Sequence, residues 1–253
     1  KLIKRTGGAE QYNANEKYAE AVTVAAEACA EDTKGQTCYI CTQALHWKTK
    51  EGLVRGCSCR GTADFVHVSC LAEQAKILVA EVEENNLGDE VLNERFPRWY
   101  TCSLCEQNYH GIVSCALGWA CWKTYVGQPE GGWPRRLAMG VLARGLYEAD
   151  QYNDCLSAQL ARLAMMRRLG EPEENLLVVQ SNLASTYKAL GRLEEALRLR
   201  RGIYSERVRL DGEESRNTLV EASNYANLLL ALQPFQEAEA LMRKAMPVAR
   251  RVL

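Results

Sequence analysis

The sequence has no long hydrophobic run and no excess of charge of either sign. Its longest apolar stretch, "GIVSCALGWACW" from Gly111 to Trp122, falls short of the roughly 20 residues that a bilayer-spanning helix needs. No membrane span is therefore expected in this fragment. The formal net charge is -1, so no basic field points to nucleic acid or to an anionic membrane. No secretory leader is expected either, because "KLIKRTGGAEQYNANEKYAEA" turns polar before any apolar core begins. The first residue is Lys1 and the last stretch, "PVARRVL", carries no polar cap. A piece of a longer chain is expected.

Cysteine, by contrast, is abundant, with 11 in 253 residues. Without a secretory signal, that number points to a reducing compartment, cytoplasmic or nuclear, and not to secretion. There, clustered cysteines bind metal more often than they pair as disulfides. The length allows one large domain or two ordinary ones.

Three zones follow one another. The first reads as a helix from about Asn15 to Glu31, with Tyr18, Ala21, Val22, Ala25 and Cys29 at helical spacing. The second is cysteine-rich, from Cys38 to about His110. The third is helical, from about Trp133 to the end, and it repeats itself. "SNLASTYKALGRLEEAL" from Ser181 and "SNYANLLLALQPFQEAEAL" from Ser223 align at a period of 42. They share Ser181/Ser223, Asn182/Asn224, Ala184/Ala226, Ala189/Ala231, Leu190/Leu232, Glu195/Glu237 and Ala196/Ala238. A weaker copy, "LARGLYEADQYNDCL", lies 41 residues earlier, with Cys155 in the small-residue place of Ala196. Each unit reads as two helices with alanines where they meet. Pro172 and Pro234 stand where a first helical turn tolerates proline, and Gly170 and Gly191 where helices end. A single hairpin leaves an apolar face bare, so neighbours must stack. The array resembles tetratricopeptide (TPR) repeats, most of all the kinesin-light-chain type with its roughly 42-residue unit.

The cysteine zone has a regular grammar. Cys38-x2-Cys41 is followed after fifteen residues by Cys57-x-Cys59, after seven more by His67-x2-Cys70, and after thirty-one by Cys102-x2-Cys105. Zinc takes four tetrahedral sulfur and nitrogen ligands, and a C-x2-C turn presents two thiolates at once. Eight ligands therefore make two closed four-ligand sites, which are structural because no position is left for a catalytic water.

The ligand order, together with "CYIC", "CSCRGTADFVHVSCL" and "CSLC", resembles the RING-CH (RING-variant) family over about Cys38 to Tyr109. The resemblance implies an interleaved pairing: Cys38, Cys41, His67 and Cys70 hold one zinc, and Cys57, Cys59, Cys102 and Cys105 the other. It also implies a ubiquitin ligase of the RING type, which docks a ubiquitin-conjugating enzyme and positions its thioester without a covalent intermediate of its own. Ile40 matches one apolar docking position. At the other, where the family carries tryptophan, this chain has Gln74. The thirty-one-residue spacer is longer than the family's usual length, and reads as a helix ending near Gly88 and a short turn of helix stopped by Pro97. PHD fingers share the ligand order but favour a tryptophan two residues before the seventh ligand, where Tyr100 stands beside Trp99.

Other residues have plainer readings. His46 and His110 lie outside the ligand pattern and read as surface or packing residues. Cys29, Cys115, Cys121 and Cys155 read as small buried hydrophobes. Gly111 to Gly127 reads as a helix joining the zinc module to the repeats. Arg162, Arg167 and Arg168 read as a solvated helix face. Asn182 and Asn224 are either interhelical hydrogen-bonding residues or, as the kinesin-light-chain resemblance implies, amides that hold a peptide backbone on the concave face.

The expected fold is mainly α: a small cross-braced two-zinc RING-CH module followed by an α-solenoid of TPR-like hairpins. The expected parts are residues 1–34, an N-terminal helix packing on the rest; 35–111, the zinc module with a helical insertion at 71–96; and 112–253, a connecting helix with repeats at about 133–170, 172–211 and 213–253. The expected function is a RING-type ligase whose repeats bind a protein substrate or partner. A non-catalytic zinc-stabilised scaffold and a PHD-like histone-tail reader remain as alternatives.

Overall fold

The computed structural model describes residues 2–59 and 64–252. Among them are ten α-helices and a 3-10 turn, and no strand; only two isolated bridges, Val54 with Val66 and Thr101 with Asn108, form. The helices are α1 (Leu2–Ala28), α2 (Val68–Glu84), α3 (Gly88–Arg95), α4 (Gly111–Tyr125), α5 (Trp133–Glu148), α6 (Tyr152–Arg168), α7 (Glu173–Ala189), α8 (Leu193–Asp211), α9 (Arg216–Leu232) and α10 (Phe235–Val252). The 3-10 turn, Phe96–Trp99, follows α3 and contains Pro97 within it. No described helix is long and apolar enough to cross a membrane. The chain divides into two compact units, Lys1–Ala158 and Gln159–Leu253.

In the first unit the larger core joins the zinc loops to the helices around them, and a smaller one, Cys115, Leu142, Leu146 and Cys155, lies where α4, α5 and α6 meet. Tyr18, Val22, Ala25 and Cys29 of α1 join Leu53, Val54, Phe65 and Val66 of the zinc loops, Val79 and Val82 of α2, Trp99, and Val113, Leu117 and Cys121 of α4. The zinc loops are thus not a free-standing bead: their apolar side is covered by α1, α2 and α4. α1 begins far earlier than the apolar spacing indicates, and its N-terminal half is held by Arg135 to Glu10 at 3.0 Å and by the Gln11 amide donating to the Lys123 carbonyl at 3.0 Å. Trp99, fully buried, meets Tyr125 edge-on at 5.7 Å.

Three close approaches depend on glycine. A Cβ on Gly56 would lie 2.5 Å from the Cβ of Val113, one on Gly118 3.1 Å from the Cα of Leu142, and one on Gly145 2.5 Å from the carbonyl oxygen of Ser114. The last two seat α4 and α5 against each other with backbone touching backbone. Cys155 of α6 then donates its thiol to the Ala143 carbonyl at 3.2 Å, filling the space beside α5 as a small hydrophobe.

The second unit stacks α7–α8 and α9–α10 as successive hairpins. Of the alanines shared at the 42-residue period, Ala184, Ala196, Ala226 and Ala238 are buried, while Ala189 and Ala231, at the C-terminal ends of α7 and α9, are exposed. Gly170 and Gly191 end their helices in the left-handed region, at φ +70° and +73°, where a side chain would be strained. A buried polar network crosses three helices. Arg200 of α8 meets Glu221 of α9 at 2.7 Å, and also donates to Ser181 at 2.7 Å and to Ser185 of α7 at 2.8 Å. The Ser181 hydroxyl in turn donates to Glu221 at 2.6 Å.

Candidate metal centre

Two turns with the same backbone open the two ligand sets. The Cys38 N–H bonds the Gln43 carbonyl at 3.0 Å, and the Thr42 N–H bonds back to the Cys38 carbonyl at 2.8 Å. Sixty-four residues on, the Cys102 N–H bonds Gln107 at 2.9 Å and the Glu106 N–H returns to Cys102 at 3.1 Å. Thr42 and Glu106 share a positive φ, 62° and 57°. Inside each turn a backbone N–H points at the leading sulfur: Ile40 to Cys38 and Leu104 to Cys102, both at 3.4 Å. At Cys38 burial opposes ionisation, but the backbone N–H donors outweigh it and hold the thiol below its usual pKa, favouring the thiolate, which is the form a metal binds.

The fold then gathers the remaining ligands. Cys38, Cys41, His67 and Cys70 form one group and Cys57, Cys59, Cys102 and Cys105 another, with the ligand atoms of each within 4.8 Å of one another. The first and third ligand pairs share one group and the second and fourth the other, so the sites are cross-braced. The Nδ1 of His67 faces the first group, 3.3 Å from the Cys41 sulfur and 3.7 Å from that of Cys70. Its Nε2 lies 3.4 Å from the Ala44 carbonyl. A carbonyl accepts only, so Nε2 carries the proton and Nδ1 is left with its lone pair for a cation, the orientation seen at histidine ligands generally. Burial lowers the pKa of His67, keeping it neutral. Burial and neighbouring sulfurs push the Cys57 and Cys70 thiols well up and Cys59 to about 11. Cys105 goes the other way, to about 7: burial opposes its ionisation, but the Gln107 and Ser58 N–H groups and the Cys59 thiol favour it.

Four sulfur or imidazole-nitrogen donors per group, all within 4.8 Å of one another and each at least partly buried, fit two zinc ions. With all four positions taken by the protein, the metal supplies folding energy and fixes the loops; it offers no open coordination position.

A third turn of the same shape follows the first. The His46 N–H bonds the Glu51 carbonyl at 3.0 Å, the Lys50 N–H returns to His46 at 2.9 Å, and Lys50 has φ +61°. Here the second cysteine is replaced by Thr49, whose N–H donates to His46 Nδ1 at 3.2 Å. His46 is buried and sets its ring edge-on to His67, 5.3 Å between centroids. Its neighbour Trp47 is 68% exposed. His110 is exposed, as the sequence reading has it, and precedes α4 as its N-cap. Residues 60–63, part of the sequence motif after Cys59, lie outside the described residues.

Ile40 lies exposed at the tip of the first turn, and Gln74 half-buried on α2. The sequence reading missed Leu104, which holds the Ile40 position of the second turn and is 52% exposed. The signal was there in the parallel of "CYIC" and "CSLC". Cys29, Cys115, Cys121 and Cys155 are all buried away from both groups. In the second unit, Asn182 on α7 is exposed and Asn224 on α9 half-exposed, and neither side-chain amide has a hydrogen bond among the described residues.

Comparison with known proteins agrees with this layout. Residues 38–86 match the RING-variant domain. The match stops just past α2, so Cys102 and Cys105 lie outside it, and the fold brings them to Cys57 and Cys59 as the sequence resemblance implies. The crystal structure of BtubC (BKLC) from P. vanneervenii is similar over 74% of this chain and 75% of that one, with a TM-score of 0.53 at 14% identity. Two structures of TPR-like repeats of kinesin-light-chain type from Podosopora anserina reach TM-scores of 0.47 and 0.48 at 16% identity, covering 98% of this chain and 93% and 92% of theirs. No curated protein matches the chain. At such identities the likeness concerns fold. The chain carries a RING-variant zinc module at residues 38–86, followed by stacked helical hairpins.

Proposed function

We propose that the protein is a ubiquitin ligase of the RING type, cytoplasmic or nuclear, working without a covalent intermediate. The zinc module recruits a ubiquitin-conjugating enzyme, and the hairpin repeats bind a protein substrate or partner. The observation that carries this reading is the pair Ile40 and Leu104. Two similarly folded metal turns each present one large apolar side chain to solvent at the same position, where its exposure to water only costs free energy until a partner covers it. Gln74 on α2 borders the same surface in the RING-variant pattern. A polar side chain there makes the grip depend more heavily on the two turn tips. The module's contribution is positional: it holds the thioester where a substrate amine attacks, and the conjugating enzyme's thiol leaves. On the repeats, the unpaired amides of Asn182 and Asn224 support a peptide-holding role, since an amide can donate and accept along an extended backbone.

The test is ubiquitin transfer by the zinc-loaded protein with a panel of conjugating enzymes. Ile40→Ala and Leu104→Ala are each expected to lower transfer by about tenfold or more, in line with loss of an apolar anchor worth about 1.4 kcal/mol or more, while both keep two zincs. Wild-type protein with two zincs and no transfer by any panel member would leave the module as a structural scaffold.

A further inference from the structure

The third turn, His46 to Glu51, has the backbone of the two metal-ligating turns but Thr49 in place of the second cysteine, and its last residue leads to the first zinc site. The Glu51 carboxylate uses both oxygens. Oε1 accepts the Ser69 N–H at 2.7 Å and Oε2 the Ser69 hydroxyl at 2.7 Å. Ser69 is the second residue of α2, whose N-cap is His67 and whose third residue is Cys70. The His67 side chain makes no cap bond of its own, since its ring faces the metal group. Glu51 therefore caps the ligand-bearing helix from a distant segment, satisfying an N–H that the helix cannot bond internally and placing negative charge at its positive end.

The connection runs both ways from Ser69. Its single hydroxyl proton goes to Glu51, so the Tyr18 hydroxyl of α1 is the donor in their 2.9 Å bond. On the other side, the Thr49 hydroxyl lies 3.0 Å from Glu51 Oε2 and 2.8 Å from His46 Nδ1. His46 in turn packs on the His67 ring, and Ala44 in the same segment accepts the His67 Nε2–H. Lys123 of α4 closes the cluster, its ammonium 3.8 Å from the Tyr18 ring centre.

We infer that Glu51 is a positioning residue for the first zinc site: its carboxylate, through Ser69 and the His46 turn, holds His67 and Cys70 in their ligating arrangement. It touches no metal ligand atom itself. The role rests on the ligand geometry and is separate from the ligase reading. Residues of this kind typically alter metal affinity by about 10–100-fold.

The experiment is zinc release from the full chain to a colorimetric chelator, with cobalt-substituted protein used to tell the sites apart, because one offers three sulfurs and a nitrogen and the other four sulfurs. Glu51→Ala is expected to speed release from the His67 site about tenfold or more, with the all-sulfur site unchanged. Glu51→Gln, which keeps an acceptor for the Ser69 N–H but loses the second carboxylate oxygen, is expected to fall between Glu51→Ala and wild type. It also serves as the variant to measure if Glu51→Ala does not fold. Equal acceleration at both sites would mark a general loss of stability and overturn the inference; unchanged release at the His67 site would overturn it as well.

Discussion

Arg200 shows how much of the second unit rests on single polar side chains. Its guanidinium is 7% exposed and Glu221 8%, and every partner lies within 2.8 Å. Removing one member of such a pair strands the other charge in a dry setting, which costs about 3–5 kcal/mol, whereas replacing both with apolar residues can be neutral or stabilising. Arg200→Ala is therefore expected to lower the thermal midpoint of the repeats markedly, and Arg200→Met with Glu221→Leu to recover most of the loss, as read by thermal unfolding followed by circular dichroism. An Arg200→Ala midpoint equal to wild type would mean that the network contributes nothing. Residue-level legibility was uneven. The eight ligand candidates stood out because metal chemistry restricts residue type and spacing together. Arg200 and Glu221 did not, because in a sequence they look like ordinary exposed helix charges, and only the stacking of α7, α8 and α9 buries them. His46 read as a plain packing residue. Its turn is made by backbone hydrogen bonds and a positive φ at Lys50, and lysine carries none of the usual markers of that conformation.

Among the elements, the pair α4 and α5 is the most tightly specified. Gly145 lies against the Ser114 carbonyl and Cys115 Cα, so an added methyl group must push the helices apart along their whole contact. Gly145→Ala is expected to cost about 1–3 kcal/mol through overpacking, although alanine is the better helix former by about 1 kcal/mol. A denaturant titration of the two proteins decides the sign: greater stability in the variant would mean that the helices part without penalty. The long apolar stretch from Gly111 reads as a helix, which α4 bears out, and consecutive residues from Val113 to Gly118 are buried, so it is apolar all round with no single buried stripe. The extension of α1 back to Leu2 was not, because Gly7 and Gly8 argue against a helix locally, and contacts with Lys123 and Arg135 outweigh that preference. The spacer after Cys70 read as helix, then turn of helix, which α2, α3 and the Phe96–Trp99 turn match in kind. Its purpose was not readable: α2 carries the ligand Cys70, with the ligand His67 as its N-cap, and is also a wall of the core shared with α1 and α4.

At the scale of the molecule, each of the two units has its own basis of stability. The first relies on metal, since the core around Val54, Phe65 and Val66 sits on loops that four ligand pairs hold in place. The second is a helix stack with its own apolar seams and needs none. Chelation of the zinc-loaded protein, or His67→Ala, is expected to abolish protease resistance across the first unit while the repeats keep most of their helical signal and their unfolding transition. A structural zinc in small domains accounts for about 10–16 kcal/mol of apparent binding energy, more than a typical domain's whole stability of about 5–15 kcal/mol. If the stripped protein still resists protease between residues 38 and 110, the metal is not what holds the loops. This two-part organisation was legible because a cysteine grammar and a 42-residue period are both long-range regularities. The division itself was less so: it falls within α6, at Ala158, where no change of composition marks it.

Interleaving also imposes an order on the making of the protein. A chain emerging from the ribosome completes the His67 site once Cys70 is out, but the other site must wait for Cys105, with 43 residues separating Cys59 from Cys102. Cys105 trails Cys70 by 35 residues, so at about 5–20 residues per second the thiols of Cys57 and Cys59 spend roughly 2–7 s without their partners beside an already metallated site. The newborn chain thus passes through a one-zinc form whose two waiting sulfurs are open to oxidants and to soft metals other than zinc.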